Sequence, residues 1–139
     1  MNGPKKQILI ADSDEQALIQ LEQLLEDEGF DTTTAWSTSD TVSLLGQREF
    51  DLLLVADHPP EVNCETVLRM RKAKGAKVPI VVLETRPRHP FAEPYLVALG
   101  ADNFVQKWQK GDVKSVVHEF LDFRGGASKS AVAGTMNLG

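Results

Sequence analysis

An internal disulfide is excluded at the outset, because Cys64 is the single cysteine among 139 residues. A lone thiol with no recognisable leader segment leads us to expect a reducing, cytoplasmic setting. Long apolar runs are lacking as well. The longest, Leu52–Ala56 and 79–83, fall far short of the ~20 residues a membrane helix needs, so no membrane role is expected. Positive charge is in deficit: 15 Lys and Arg stand against 20 Asp and Glu, a net charge of −5. General attraction to nucleic acid phosphate is therefore not expected. Arg69, Arg71, Lys72, Lys74 and Lys77 do gather in one stretch, which reads as a solvated helix face and the loop after it. His58 and His89 lack the cysteine or carboxylate spacing of a zinc site and read as loop histidines.

What is present is a repeated alternation of short apolar runs and longer amphipathic stretches. Gln7–Ala11 is a compact run that reads as a buried strand. Asp14 is placed to cap a helix whose stripe of Ala17, Leu18, Leu21, Leu24 and Leu25 stops at Gly29. Residues 30–35, rich in threonine, predict a second strand near a sheet edge. Ser39 and Asp40 are expected to start a second helix with Val42, Leu44 and Leu45 inward. Residues 50–56 read as a central parallel strand, followed by a helix over about 65–74. A fourth strand is expected at 78–83. Pro87, Pro90 and Pro94 then delay the fourth helix to about Glu93, ending at Leu99 and Gly100. Residues 103–105 make a short fifth strand, and Asp112 is expected to cap a last helix buried through Val113, Val116, Val117, Phe120 and Leu121. From Arg124 the composition turns to Gly, Ser and Ala, so 1–123 reads as the domain and 124–139 as a flexible tail or linker.

Five β-α units predict an α/β fold: a doubly wound, five-stranded parallel sheet with helices on both faces. Function in such sheets sits at the carboxyl ends of the strands, beside the topological switch point. That directs attention to Asp12, Ser13, Asp14, Ala56, Asp57, Glu84, Thr85 and Lys107. A nucleotide-binding domain is disfavoured, since no glycine-rich loop follows the first strand and the acidic run there repels phosphate.

Four segments resemble the receiver domain of bacterial two-component response regulators: ILIADSDE at 8–15, DLLLVA at 51–56 with Pro60, VPIVVL at 78–83, and ALGADNFVQK at 98–107. The resemblance spans roughly residues 6–123 and implies a flavodoxin-like sheet of strand order 2-1-3-4-5. It implies two acidic residues after strand one and an aspartate ending strand three that together hold Mg²⁺, the last being phosphorylated. It also implies a Thr or Ser ending strand four and a Lys ending strand five. Asp12 matches the first acidic place, whereas Ser13 occupies the second. Ala56 stands at the acceptor place, five residues after Asp51 and four before Pro60, as the family spacing requires. Glu84 stands at the switch hydroxyl, and Lys107 is retained. Trp108 replaces the proline that usually follows it, so a trans bond is expected there, a cis bond costing about 3 kcal/mol.

These departures point to an atypical or pseudo-receiver. Alanine has no oxygen to phosphorylate, and Asp12 with a serine hydroxyl is a poor Mg²⁺ site. Glu84 places negative charge where a phosphoryl group would sit. Lys107 then needs a new partner, Asp12 or Glu84. The expected activity is non-enzymatic recognition of another signalling protein without cofactor or metal, by a monomer or weak dimer. The family's output face, formed by helix four, strand five and helix five, is where Tyr95, Leu96, Phe104 and Trp108 would make contact. The rival reading is a working receiver phosphorylated on Asp57, with Asp12 and Asp14 holding Mg²⁺; it requires a bulge in strand three.

Overall fold

Strands built almost wholly of Val, Ile and Leu need apolar cover on both faces, and this chain supplies it with helices on each side. In the computed structural model, which describes residues 4–85 and 91–122, β1 (Gln7–Ala11), α1 (Glu15–Asp27), β2 (Asp31–Ala35), α2 (Thr38–Gln47) and β3 (Leu52–Ala56) form the first half. The second half is α3 (Cys64–Lys74), β4 (Ile80–Glu84), α4 (Ala92–Ala98), β5 (Asn103–Gln106) and α5 (Lys110–Leu121). All pairings are parallel and the strand order is β2-β1-β3-β4-β5, as the receiver resemblance implies. The threonines of β2 lie half-buried at the edge of the sheet.

Side-chain alternation divides the core into two layers. Ile8, Ile10, Leu52, Leu54, Ala56, Val81 and Leu83 face Leu18, Leu21 and Leu25 of α1 and Val113 and Val117 of α5. Leu9, Leu53, Val55, Ile80 and Val82 face Val67 and Leu68 of α3 and Leu96 of α4. Several helix starts differ from expectation. Ser37, two residues before Ser39, caps α2 by accepting the Asp40 N–H at 3.0 Å. Thr41 is its buried residue, while Val42, Leu44 and Leu45 are half-buried, because α2 lies over the edge of the sheet. Asp112 does not cap α5; it sits in the first turn, where a carboxylate suits the positive end of the helix. Pro94 lies in the first turn of α4, where its missing N–H costs nothing. Pro87, His89, Pro90 and the tail 124–139 lie outside the described residues.

Two polar clamps tie the layers. Arg71 of α3 donates to Val78 O at 2.7 Å, to Asp102 Oδ2 at 3.0 Å and to the Gly100 carbonyl. Position 100 has to be glycine: its φ is +112°, and an added Cβ would lie 2.6 Å from the Arg71 guanidinium. On the other side His118 Nε2 lies 2.8 Å from Glu28 Oε1, with Lys114 Nζ 3.6 Å from the same carboxylate and the Phe30 ring packed on the imidazole. The hydrogen bond from His118 holds the Glu28 carboxyl below its ordinary value of 4.5, helped by the charge of Lys114. A carboxyl lowered on folding adds stability that is present above about pH 4.5 and lost as pH falls through the folded value. In urea unfolding, the difference between wild type and Glu28→Gln should therefore be present at neutral pH and vanish in acid; a pH-independent difference contradicts this account.

Candidate functional site

Parallel strands deliver their loops to one edge, so the site is built at their carboxyl ends. β1 and β3 are neighbours whose onward connections run to opposite sides, which puts the switch point between the ends of these two strands. Asp12 follows β1 and is fully buried. Its Oδ2 accepts a hydrogen bond from Lys107 Nζ at 2.8 Å, and the lysine side chain is itself only 2% exposed. Asp12 Oδ1 accepts the Asp14 N–H at 3.0 Å. Asp14 stands 3.7 Å from the same ammonium while its other oxygen caps α1 through the Gln16 and Ala17 N–H groups. Of the two partners expected for Lys107, the structure provides Asp12. Glu84 is also buried, and its carboxylate meets the Gln106 side-chain amide at 3.4 Å.

Ala56 ends β3 without exposed surface. The register with β4 runs unbroken to the Ala56–Leu83 pair, and Ala56 shares a core layer with Leu52 and Leu54. The bulge that would bring Asp57 into this place is therefore not there. Asp57 is the first residue beyond the paired strand, half-buried, its N–H directed to Leu83 O at 3.4 Å.

The mouth of the crevice is fastened by contacts that sequence reasoning missed. Ser13 Oγ and His58 Nδ1 lie 2.6 Å apart, joining the loop after β1 to the loop after β3. Glu61 O accepts from both the N–H and the hydroxyl of Thr38, at 2.9 and 3.3 Å, and the Thr38 hydroxyl accepts the Asn63 N–H at 2.8 Å. The available signal was positional: Ser13 and His58 each lie two residues past a strand flanking the switch point. Thr85 is exposed and Cys64 is buried at the start of α3.

The expected contact surface is corrected in part. Leu96 is a core residue, 4% exposed, because the one apolar stripe of short α4 turns to the sheet. Phe104 is half-buried against the same layer. Tyr95 is exposed, yet its hydroxyl is directed to α3, donating to Glu65 Oε2 at 2.8 Å and accepting from Arg69 at 3.0 Å. That hydroxyl, with Arg69, holds the Glu65 carboxyl below its ordinary value. Trp108 is 45% exposed and its ring centre lies 5.3 Å from Lys107 Nζ, within cation–π range. The bond before it is trans; the cis peptide among the described residues is Pro59–Pro60.

A sheet of this order, with an acid after β1 facing a lysine after β5 across the switch point, defines the receiver class of signalling domains. Residues 8–117 match the response regulator receiver domain, and the chain belongs to that family. The response regulator SaeR of Staphylococcus aureus (strain USA300) is 31% identical over 101 residues, covering 72% of this chain and 43% of the relative's own length. The chain thus spans less than half of the curated relatives it matches. Among solved structures, the Vibrio cholerae chemotaxis protein CheY4 superposes with a TM-score of 0.77 at 18% identity, over 85% of this chain and 100% of that one. The receiver domain of the sensor histidine kinase PA1611 from Pseudomonas aeruginosa, described with magnesium coordinated in its active site cleft, gives 0.75 at 17%, over 86% and 100%. At such identities the superpositions establish the fold.

The donor set here does not fit that metal. Mg²⁺ asks for near-octahedral oxygens with at least one or two free carboxylates. Both Asp12 oxygens are engaged, Ser13 Oγ faces His58, and Ala56 offers no oxygen. No group of three His, Cys, Asp or Glu among the described residues is arranged to hold a metal ion. Breaking a buried pair by removing one partner strands the other charge, at a cost of about 3–5 kcal/mol. Lys107→Met should lower stability by that amount in urea unfolding, and Asp12→Asn combined with Lys107→Met should recover most of the loss. A loss near zero for the single variant refutes a buried, paired Lys107.

Proposed function

We propose that this domain is a phosphorylation-independent receiver, a non-enzymatic signalling module that acts by binding another protein. The observation carrying the reading is Ala56, fully buried at the acceptor place beside a lysine whose charge Asp12 already neutralises. An incoming phosphoryl group would have to break that pair, find no acceptor oxygen at the end of β3, and sit near the carboxylate of Glu84. Unlike the surface ion pairs of the domain, worth at most about 1 kcal/mol, the Asp12–Lys107 pair is shielded from salt and water. It holds the crevice in one arrangement without a chemical trigger.

Recognition then falls to surfaces that phosphorylation does not have to create. The face of α4, β5 and α5 carries a cavity of about 430 Å³ lined by Glu93, Phe104, Asp112 and Val116. Trp108 stands in the loop between β5 and α5. This face is the contact surface in our reading, with no cofactor and no metal required.

Incubation with acetyl phosphate and Mg²⁺ should give no phosphoryl mass increment. Amide NMR should show no saturable shifts at Asp12, Ala56 or Lys107 on adding Mg²⁺ and then beryllofluoride. Ala56→Asp alone should not restore either response, because Ser13, Glu84 and the Asp12–Lys107 pair persist. Phosphorylation of the wild-type chain, or shifts spreading from Asp57 to Phe104, would end this reading in favour of a working switch.

A further inference from the structure

At the opposite end of the sheet, residues 75–77 between α3 and β4 form a ridge between two grooves. One, of about 620 Å³, is lined by Leu45, Arg48, Phe50, Lys77 and Pro79. The other, of about 440 Å³, lies beside Lys72 and Leu99, and Lys77 borders both. Their charge runs against that of the molecule, whose net charge is −5. Arg71 is matched by Asp102 at 3.0 Å, and Asp51 accepts the Gln7 N–H at 2.7 Å. Among the described residues, Arg48, Lys72, Lys74 and Lys77 have no ion-pair partner. Glu49 and Asp51 are the carboxylates on the wall of the larger groove, and Arg48 there is held by Gln7, Thr33 and the Phe50 ring, which leaves Lys72 and Lys77 as the cations open to a ligand.

Lys72 and Lys74 have a structural role, since cations in the last turn complement the negative end of α3. Lys77 has none: it lies beyond the left-handed cap at Gly75 and serves no helix. Lys72 and Lys77, without ion-pair partners and beside the half-buried Leu45, Pro79 and Leu99, suit a ligand carrying both carboxylates and apolar side chains. A sugar-phosphate backbone supplies only the first.

We infer that this double groove docks an acidic, partly apolar peptide segment of a partner protein, Lys72 and Lys77 meeting its carboxylates and the half-buried Leu45, Pro79 and Leu99 its apolar side chains. The surface is remote from the crevice and stands whether or not the crevice can be phosphorylated. The probe is a fluorescein-labelled peptide with glutamates on both sides of a central leucine pair, titrated against the full chain by anisotropy. Saturable binding is expected, weakening as added salt shortens the screening length. Lys72→Glu with Lys77→Glu should weaken it at least about tenfold, since both contacts become repulsive. Lys110→Glu with Lys114→Glu, the same charge change on α5, should leave it within about twofold. Circular dichroism confirms that each variant is folded. No binding, equal loss in both double variants, or equally tight binding of a single-stranded DNA oligonucleotide at Lys72 and Lys77 would overturn the assignment.

Discussion

A charged carboxylate with no access to water must be matched where it lies, and Asp12 is such a group. Its partner comes from the other side of the sheet: Lys107 follows β5, two strands beyond β3, and reaches back over the end of β3 to the loop after β1. The pair and the sheet order therefore depend on one another: a different strand order would put the lysine out of range of Asp12.

The same pair organises the loops. Asp14 caps α1 with one carboxylate oxygen and faces Lys107 with the other, so the start of α1 is set by the charge in the crevice. Ser13 lies between the two aspartates and meets His58, which draws the loop after β3 over the mouth. Thr38 and Glu61 fasten the loop after β2 to that same loop. Three of the five strand-end loops are thus joined around a closed centre.

How much of this could be read in the sequence depends on the range of the cause. The parallel sheet with helices on both faces and the edge position of β2 follow from local periodicity and from the near-continuous apolar character of β1, β3 and β4, and they were legible; the strand order came with the family resemblance. Ala56 was read as a substitution from its spacing to Asp51 and Pro60; the structure bears on its place alone, buried at the end of β3 in unbroken register with β4. The choice of Asp12 over Glu84 by Lys107 was not, since it turns on a few ångströms of reach between segments 95 residues apart. Leu96 was misplaced for a related reason: on a helix of 7 residues, apolar spacing leaves the inward face undetermined. The Ser13–His58 contact had no compositional mark at all. Helix starts shifted by two residues at α2 and by three at α5 because several polar residues near a helix end are candidate caps until the backbone selects one.

Trp108 gives the crevice an optical signature. Indole emission responds to a nearby charge, and this ring lies 5.3 Å from the ammonium that neutralises Asp12. The chain has one other tryptophan, Trp36, which follows β2 at the far edge of the sheet. Trp36 directly follows Ala35, whose carbonyl accepts the Asp12 N–H at 3.0 Å, and Trp108 directly follows Lys107. Both indoles therefore adjoin a residue bonded to Asp12, one on each side, and the protein's own fluorescence reads the surroundings of the buried pair.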